Sequence, residues 1–330
     1  MHVAVAHYPE GAGHATRMLA IARELEARGA TVSLAGGGPG KRFVDLLGYD
    51  EYVPTPVDYV GDYQGSGGLV DTLTGSVPAS ARRVRDLYRW LRREDPDRLV
   101  TDDMFAAMAA PLARVPCFVT THNAPGFYDD AVERAGAAAL TAYQRGVARD
   151  FYYPTVWPRA SADPDGVTRV PPLALDVDAP VVGDPDVVVV PSTYSTALDE
   201  SVARLRGAGR DVTLVGGPEW EPVASMLPTL RAADLVLCPG YSTVMEAAVA
   251  GTPCLIYPFT SEQRGVARLA SRATGFRTVT SPAEVERAAR DPPASRPTRT
   301  APVASPRPSS TDNASALSKH CDASAVTRAR

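Results

Sequence analysis

Short apolar runs alternate along this chain with longer stretches in which apolar residues recur every three or four positions, so strands are expected to alternate with helices. His2 to His7 reads as a strand, and the loop Tyr8 to His14 follows it. From Ala15 to Arg28, Met18, Leu19, Ile21, Ala22 and Leu25 share one helical face, and Gly29 closes the helix. Thr31 to Ala35 is the next strand. Gly36, Gly37, Gly38 and Gly40 then turn the chain into a short helix from Arg42 to Leu47, and Tyr52 to Pro54 forms a further edge. This βαβα order predicts a parallel sheet covered on both faces. Arg98 to Thr101 and Cys117 to Thr120 are strands around a helix from Phe105 to Leu112, and a long helix spans Asp129 to Arg149. Tyr152 to Pro172, dotted with prolines, reads as a link between domains.

The alternation then repeats. Asp186 to Val190, Val212 to Val215, Leu235 to Cys238 and Cys254 to Tyr257 are strands. Helices are expected up to Leu205, around Val223 to Leu230, and from Gly240 to Gly251. The expected organisation is α/β: two Rossmann-like parallel-sheet domains, residues 1–155 and 156–290, facing a crevice. Residues 291–330, rich in Pro, Ser, Thr, Ala and Arg, read as a low-complexity, disordered tail. Residues 58–76 read as a mobile polar loop.

Composition narrows the function. The net charge is -4, with lysine only at Lys41 and Lys319, so arginine carries the positive charge. An acidic body argues against a nucleic-acid partner. No run is apolar for the ~18 residues that a membrane span needs, and the expected location is the cytoplasm. The helix from Ala79 to Glu94 crowds Arg82, Arg83, Arg85, Arg89, Arg92 and Arg93 around an apolar face; it offers a peripheral membrane contact, although an ordinary solvated face is the favoured reading. Cys117, Cys238, Cys254 and Cys321 are widely spaced, which supports neither a disulfide framework nor a zinc site. The Asp-Pro-Asp triplets at 95, 163 and 184 lie in turns and linkers, so no metal site is expected.

Candidate chemistry lies just past strand ends, where open α/β sheets hold ligands. A helix starting at Gly240 points unpaired N–H groups at the sheet edge and suits a phosphate, with Ser242 and Thr243 beside it. Glu246 suits the diol of a ribose, or closes a capping box with Thr243; both readings stand. Ser192 follows the first strand of the second half and is read either as a donor-side group or as a helix cap. On the first half, Gly13, Asp102, His122 and Asn123 are acceptor-side candidates, with Asp102 alternatively capping the next helix. His14 closes a glycine-bearing loop, and an imidazole suits a general base for a hydroxyl acceptor. Thr16 stands where a dinucleotide fingerprint needs its third glycine, and neither a P-loop nor a Gly-x-Ser-x-Gly elbow occurs.

Gly11-Ala12-Gly13-His14-Ala15-Thr16-Arg17, with Ala20 to Leu25, Ala233 to Val236, Gly240 to Ala247 and Gly251-Thr252-Pro253, resembles the GT-B glycosyltransferases, closest to the family 28 group of peptidoglycan N-acetylglucosaminyltransferases. The resemblance implies inverting, metal-independent transfer from a UDP-sugar to a hydroxyl acceptor, lipid-linked or glycan, with no cofactor besides the nucleotide sugar. Glu246 would then hold the ribose, Gly240, Ser242 and Thr243 would face the diphosphate, Glu262 and Gln263 would contact the donor sugar, and His14 would sit near the attacked carbon. The family's returning C-terminal helix has no counterpart after Arg290, which puts the coupling of the two domains in question. A sugar-nucleotide hydrolase or epimerase and a non-catalytic nucleotide-sugar-binding protein are the alternatives.

Overall fold

The computed structural model describes residues 1–57, 77–192, 195, 198–217 and 220–295. The expected polar loop at 58–76, Thr193 and the tail from residue 296 lie outside them. The first lobe is a seven-stranded sheet in the order β3-β2-β1-β4-β5-β6-β7: β1 His2–Ala6, β2 Thr31–Ala35, β3 Glu51–Tyr52, β4 Arg98–Thr101, β5 Cys117–Thr120, β6 Ala148–Pro154 and β7 Thr168–Val170. The second is five-stranded, in the order β12-β11-β10-β8-β9: β8 Val187–Val189, β9 Val212–Leu214, β10 Leu235–Cys238, β11 Cys254–Ile256 and β12 Phe276–Thr278. Every pairing is parallel. The helices among the described residues are α1 Ala12–Ala27, α2 Lys41–Leu46, α3 Val77–Glu94, α4 Met104–Ala113, α5 Ala131–Val147, α6 Leu198–Gly207, α7 Leu227–Ala232, α8 Tyr241–Ala250, α9 Ser261–Ala270 and α10 Pro282–Arg290.

Strand order fixes where ligands are held. In the first sheet the order reverses between β1 and β4, and in the second between β8 and β10, which opens a crevice beyond each pair of strand ends. The segments after these strands carry Asp102, Ser192, Gly240 and His14, which lies in the first turn of α1 and not in the loop that was expected to end with it.

Two expectations about the chain's middle are corrected. Tyr152-Tyr153-Pro154 and Thr168–Val170, read as interdomain link, are strands β6 and β7, so the first sheet extends past residue 155. Tyr152 and Tyr153 point to opposite faces and are both fully buried, which gives this segment a strand's packing despite its prolines. Arg83, read as one of a crowd of surface arginines, is fully buried on α3. It donates from Nε and NH2 to Asp103, from NH2 to Gly36 O and from NH1 to Thr55 O.

The lobes share one core. Ala124, Phe127 and Tyr153 of the first lobe pack in the same apolar cluster as Trp157, Val188, Leu230, Val236, Ile256 and Val266. Gly265 on α9 lies so close to Phe127 that a Cβ there would overlap its backbone. Around this contact, Arg268 donates to Gly126 O and to Asp129, Ser261 Oγ donates to Glu133, and the Tyr241 hydroxyl donates to Pro154 O. The coupling that a returning helix was expected to supply is carried by the Pro125–Phe127 3-10 turn against α9.

Candidate active site

Both switch-point helices start without a side-chain cap. The N-cap of α1 is Gly11, whose φ of 87° favours glycine, and the N-cap of α8 is Gly240; neither first turn carries an acidic residue. Their free N–H groups and positive dipole ends therefore face the crevice. The two ends meet there: a Cβ on Gly13 would overlap Oγ and Cβ of Ser242, so only glycine permits this approach. Gly240 is less tightly packed, with Gln263 Cγ 3.2 Å from its Cβ position.

His14 stands one residue beyond Gly13. Its Nδ1 is 2.9 Å from Asp102 Oδ2, and Asp102 Oδ1 accepts the Tyr8 N–H at 3.0 Å. Asp102 is not the cap of α4: Asp103 accepts the Phe105 N–H and does that work, which leaves Asp102 to face the crevice. Burial alone would raise the Asp102 pKa, but the charges of His14 and Arg17, the His14 hydrogen bond and His122 together hold it well below the usual carboxylate range. The His14 and His122 rings meet edge to face at 4.7 Å. Burial, then the charges of His14 and Arg17, push the His122 pKa well below its ordinary value, against a smaller upward pull from Asp102.

The second lobe reaches into the same cluster. Glu262 Oε1 lies 3.9 Å from His122 Nε2, and the Tyr241 ring is 5.5 Å from the His122 ring. Burial pushes the carboxyls of Glu262 and Glu246 up to about 7, with Arg17 working the other way in each. Glu246 falls in the second turn of α8, and no capping box with Thr243 forms, because the helix already starts at Tyr241 and Thr243 lies inside it, buried. Gln263 is half committed: its Oε1 accepts the N–H groups of Phe259 and Thr260 in a capping box, which leaves Nε2 3.5 Å from Ser192 Oγ. Ser192 and Gln263 thus form a pair beside Gly240, and α6 begins only at Leu198. Asn123 sits in a turn closed by Thr121, its Oδ1 buried without a partner among the described residues.

The sequence reading did not single out Arg17, Tyr8 or Tyr241 as site residues. Arg17 is one helical turn from His14 and interrupts the apolar face of α1, a signal that was available. Tyr8 and Tyr241 become neighbours of His14 and His122 only through the fold. Among the described residues, no group of three or more His, Cys, Asp or Glu is arranged to hold a metal ion, and no helix is long and apolar enough to cross a membrane.

Residues 12–197 match the glycosyl transferase 4-like domain. An uncharacterised glycosyltransferase of Methanosarcina mazei is 24% identical over 309 residues, covering 76% of this chain and 77% of that protein. The UDP-N-acetylglucosamine–N-acetylmuramyl-(pentapeptide) pyrophosphoryl-undecaprenol N-acetylglucosamine transferase of Solibacter usitatus is 27% identical over 287 residues, covering 75% and 73%. Among solved structures, the glycosyltransferase SsfS6 of Streptomyces sp. SF2575 superposes with a TM-score of 0.61 at 16% identity over 97% of this chain and 95% of that one. MurG of Acinetobacter baumannii gives 0.53 at 16% over 87% and 89%.

Proposed function

The chain belongs to the glycosyl transferase 4-like family and is a glycosyltransferase of GT-B architecture; on that footing we propose that it moves a sugar from a nucleoside diphosphate, UDP by expectation, to a hydroxyl acceptor with inversion and without a metal ion. One observation carries the reading: the contact between Gly13 and Ser242 brings the free N–H groups of two helix ends to the same place as the His14–Asp102 pair. A leaving diphosphate needs positive partial charge, an attacking hydroxyl needs a base, and the crevice offers both within one cluster.

In the proposed step a carboxylate can only accept, so the His14 Nδ1–H donates to Asp102 and Nε2 is bare. Nε2 takes the acceptor's hydroxyl proton, and the acceptor oxygen bonds to the anomeric carbon. The bond from that carbon to the phosphate oxygen breaks, and its electron pair leaves on the diphosphate. Attack opposite the leaving group inverts the centre. N–H groups of Gly240, Ser242 and Thr243 take up the new phosphate charge, Glu246 holds the ribose diol, and Ser192, Glu262 and Gln263 border the donor sugar. Gly13, His122 and Asn123 line the acceptor side.

The nucleotide is supported on two sides. The Solibacter relative is named for UDP-N-acetylglucosamine and an undecaprenol-linked acceptor, whereas SsfS6 is known complexed with thymidine diphosphate. We therefore keep a lipid-linked molecule or a glycan as the acceptor. Arg82, Arg85, Arg89, Arg92 and Arg93, exposed along one side of α3, suit a peripheral contact with an anionic membrane in the cytoplasm. A donor and acceptor array read by mass spectrometry, with calorimetric titration of UDP and TDP, tests the reading. Transfer that falls at least about 100-fold in His14→Ala is expected. Absence of binding to every nucleotide and nucleotide sugar overturns it, and sugar release as fast without any acceptor as with one would make the protein a hydrolase.

A further inference from the structure

Asp102 is shared by two partners. Its Oδ2 receives His14 Nδ1 at 2.9 Å, Arg17 NH2 at 2.5 Å and Arg17 Nε at 3.2 Å. Arg17 NH2 also lies 3.2 Å from His14 Nδ1 and 3.5 Å from His122 Nδ1. The Arg17 side chain is 4% exposed, and its guanidinium is covered from the second lobe by the Tyr241 ring, whose centroid is 5.6 Å away. Burying a long cation at this depth is costly unless its charge is used.

A carboxylate beside an imidazole orients the ring but also favours its protonated form, and a base that already holds a proton cannot take another. A fixed cation on the same carboxylate oxygen cancels much of that attraction. We propose that Arg17 is a positioning residue for the transfer step: it neutralises Asp102, so that the carboxylate aligns His14 without fastening a proton to it. The proposal rests on the reading of His14 as the base. The other groups around His14 do not supply this charge. Tyr8, 5.2 Å away between the rings, donates its hydroxyl to Glu10. His122 is held in its neutral form by burial, and Glu262 acts from behind it. Tyr241 covers Arg17 from α8 as an uncharged ring.

The test uses the full chain, with UDP release from UDP-N-acetylglucosamine in water followed from about pH 5.5 to 9, and with the His14 ring nitrogens followed by NMR over the same range. In Arg17→Met the acidic limb of the rate profile, and the pH at which the ring signals change, are expected to move up by about one unit; above the limb the rate recovers to within a few-fold. Arg17→Lys, which keeps the charge, is expected to hold the limb near that of the parent, with a lower plateau because the two-point hold on Oδ2 is lost. If Arg17→Met does not fold, Arg17→Met with Asp102→Asn removes both charges, and its ring transition is expected near that of the parent. Coincident transitions in the parent and Arg17→Met, equal shifts for Met and Lys, or a double variant displaced as far as Arg17→Met alone would each overturn the proposal. The NMR arm decides even where UDP-N-acetylglucosamine is not turned over. A His14→Ala rate equal to that of the parent would instead remove the base reading on which the proposal stands.

Discussion

Replacing Gly13 by alanine separates the contact between the lobes from everything else in the site. A Cβ at this position would have Ser242 Cα at 3.9 Å, ordinary contact, with the serine's Cβ and Oγ well inside it. Carbon atoms pack at about 3.5–4.0 Å, so the overlap with Ser242 Cβ is at least about 1 Å. A χ1 rotation moves the hydroxyl but not the Cβ, and the two helix starts must therefore part by about that distance. The helix itself does not object, since alanine inside a helix is favoured over glycine by roughly 0.5–1 kcal/mol. Misplacement of reacting groups by about 1 Å costs on the order of 100-fold. Gly13→Ala is thus expected to melt at or slightly above the parent's temperature, to bind nucleoside diphosphate within a few-fold of it, and to lose roughly 100-fold in turnover with the acceptor found by the array. Ser242→Gly removes both overlapping atoms, so Gly13→Ala with Ser242→Gly should turn over like Ser242→Gly alone. Turnover of Gly13→Ala within twofold of the parent, or a pair of losses that simply add, would show that this approach of the lobes is not the working one.

Three further outcomes follow from the packing. Glu246, with its carboxyl raised from 4.5 to about 7 by burial, contributes stability that is present below pH 4.5 and lost as the pH rises through 7. Because the side chain is only partly buried, the loss is roughly 1–2 kcal/mol. Glu246→Gln should therefore match the parent near pH 4.5 and melt about 2–6 °C higher at pH 8 by scanning calorimetry. Arg83→Met leaves Asp103 buried without its partner and is expected to cost about 3–5 kcal/mol in urea unfolding; a cost below 1 kcal/mol would mean that the pair is dispensable. Phe127→Ala empties the centre of the core that the lobes share and should cost about 3–5 kcal/mol, splitting one calorimetric transition into two.

The regular part of the fold was legible because its signal is local. Strands β2, β4, β5 and β10 have the bounds expected from the sequence. β6 escaped because α5 passes directly into it: Ala148 is both the C-cap of the helix and the first strand residue, and Gly146 lies inside the last turn of the helix instead of after it. β7 and β12 are three residues each with an arginine at the centre, Arg169 and Arg277, so no apolar run marks them. In the site, Gly13, His14 and Gly240 were legible from glycine placement after strands. The sharing of Asp102 between His14 and Arg17 was not, because it joins α1 to the end of β4 across 85 and 88 residues of chain. Arg83 failed for the same reason: its partners Gly36, Thr55 and Asp103 come from three separate segments.

The shared core also limits how the crevice opens to admit a donor. Full separation of the lobes would expose Phe127, Tyr153 and Trp157, all buried in one cluster. At roughly 150–250 Å² per aromatic side chain and about 25 cal/mol per Å², that is on the order of 15 kcal/mol, more than a micromolar ligand's roughly 8 kcal/mol of binding can supply. The contacts at Gly13–Ser242 and Arg17–Tyr241 involve little apolar area and are far cheaper to break. A motion that admits a donor would therefore keep the Phe127–Gly265 packing and part the two helix ends, and it would also uncover Arg17. His14, Asp102 and Arg17 all belong to the first lobe, so their mutual contacts would survive such a motion, and closure would restore only the helix-end contact and the Tyr241 cover over Arg17.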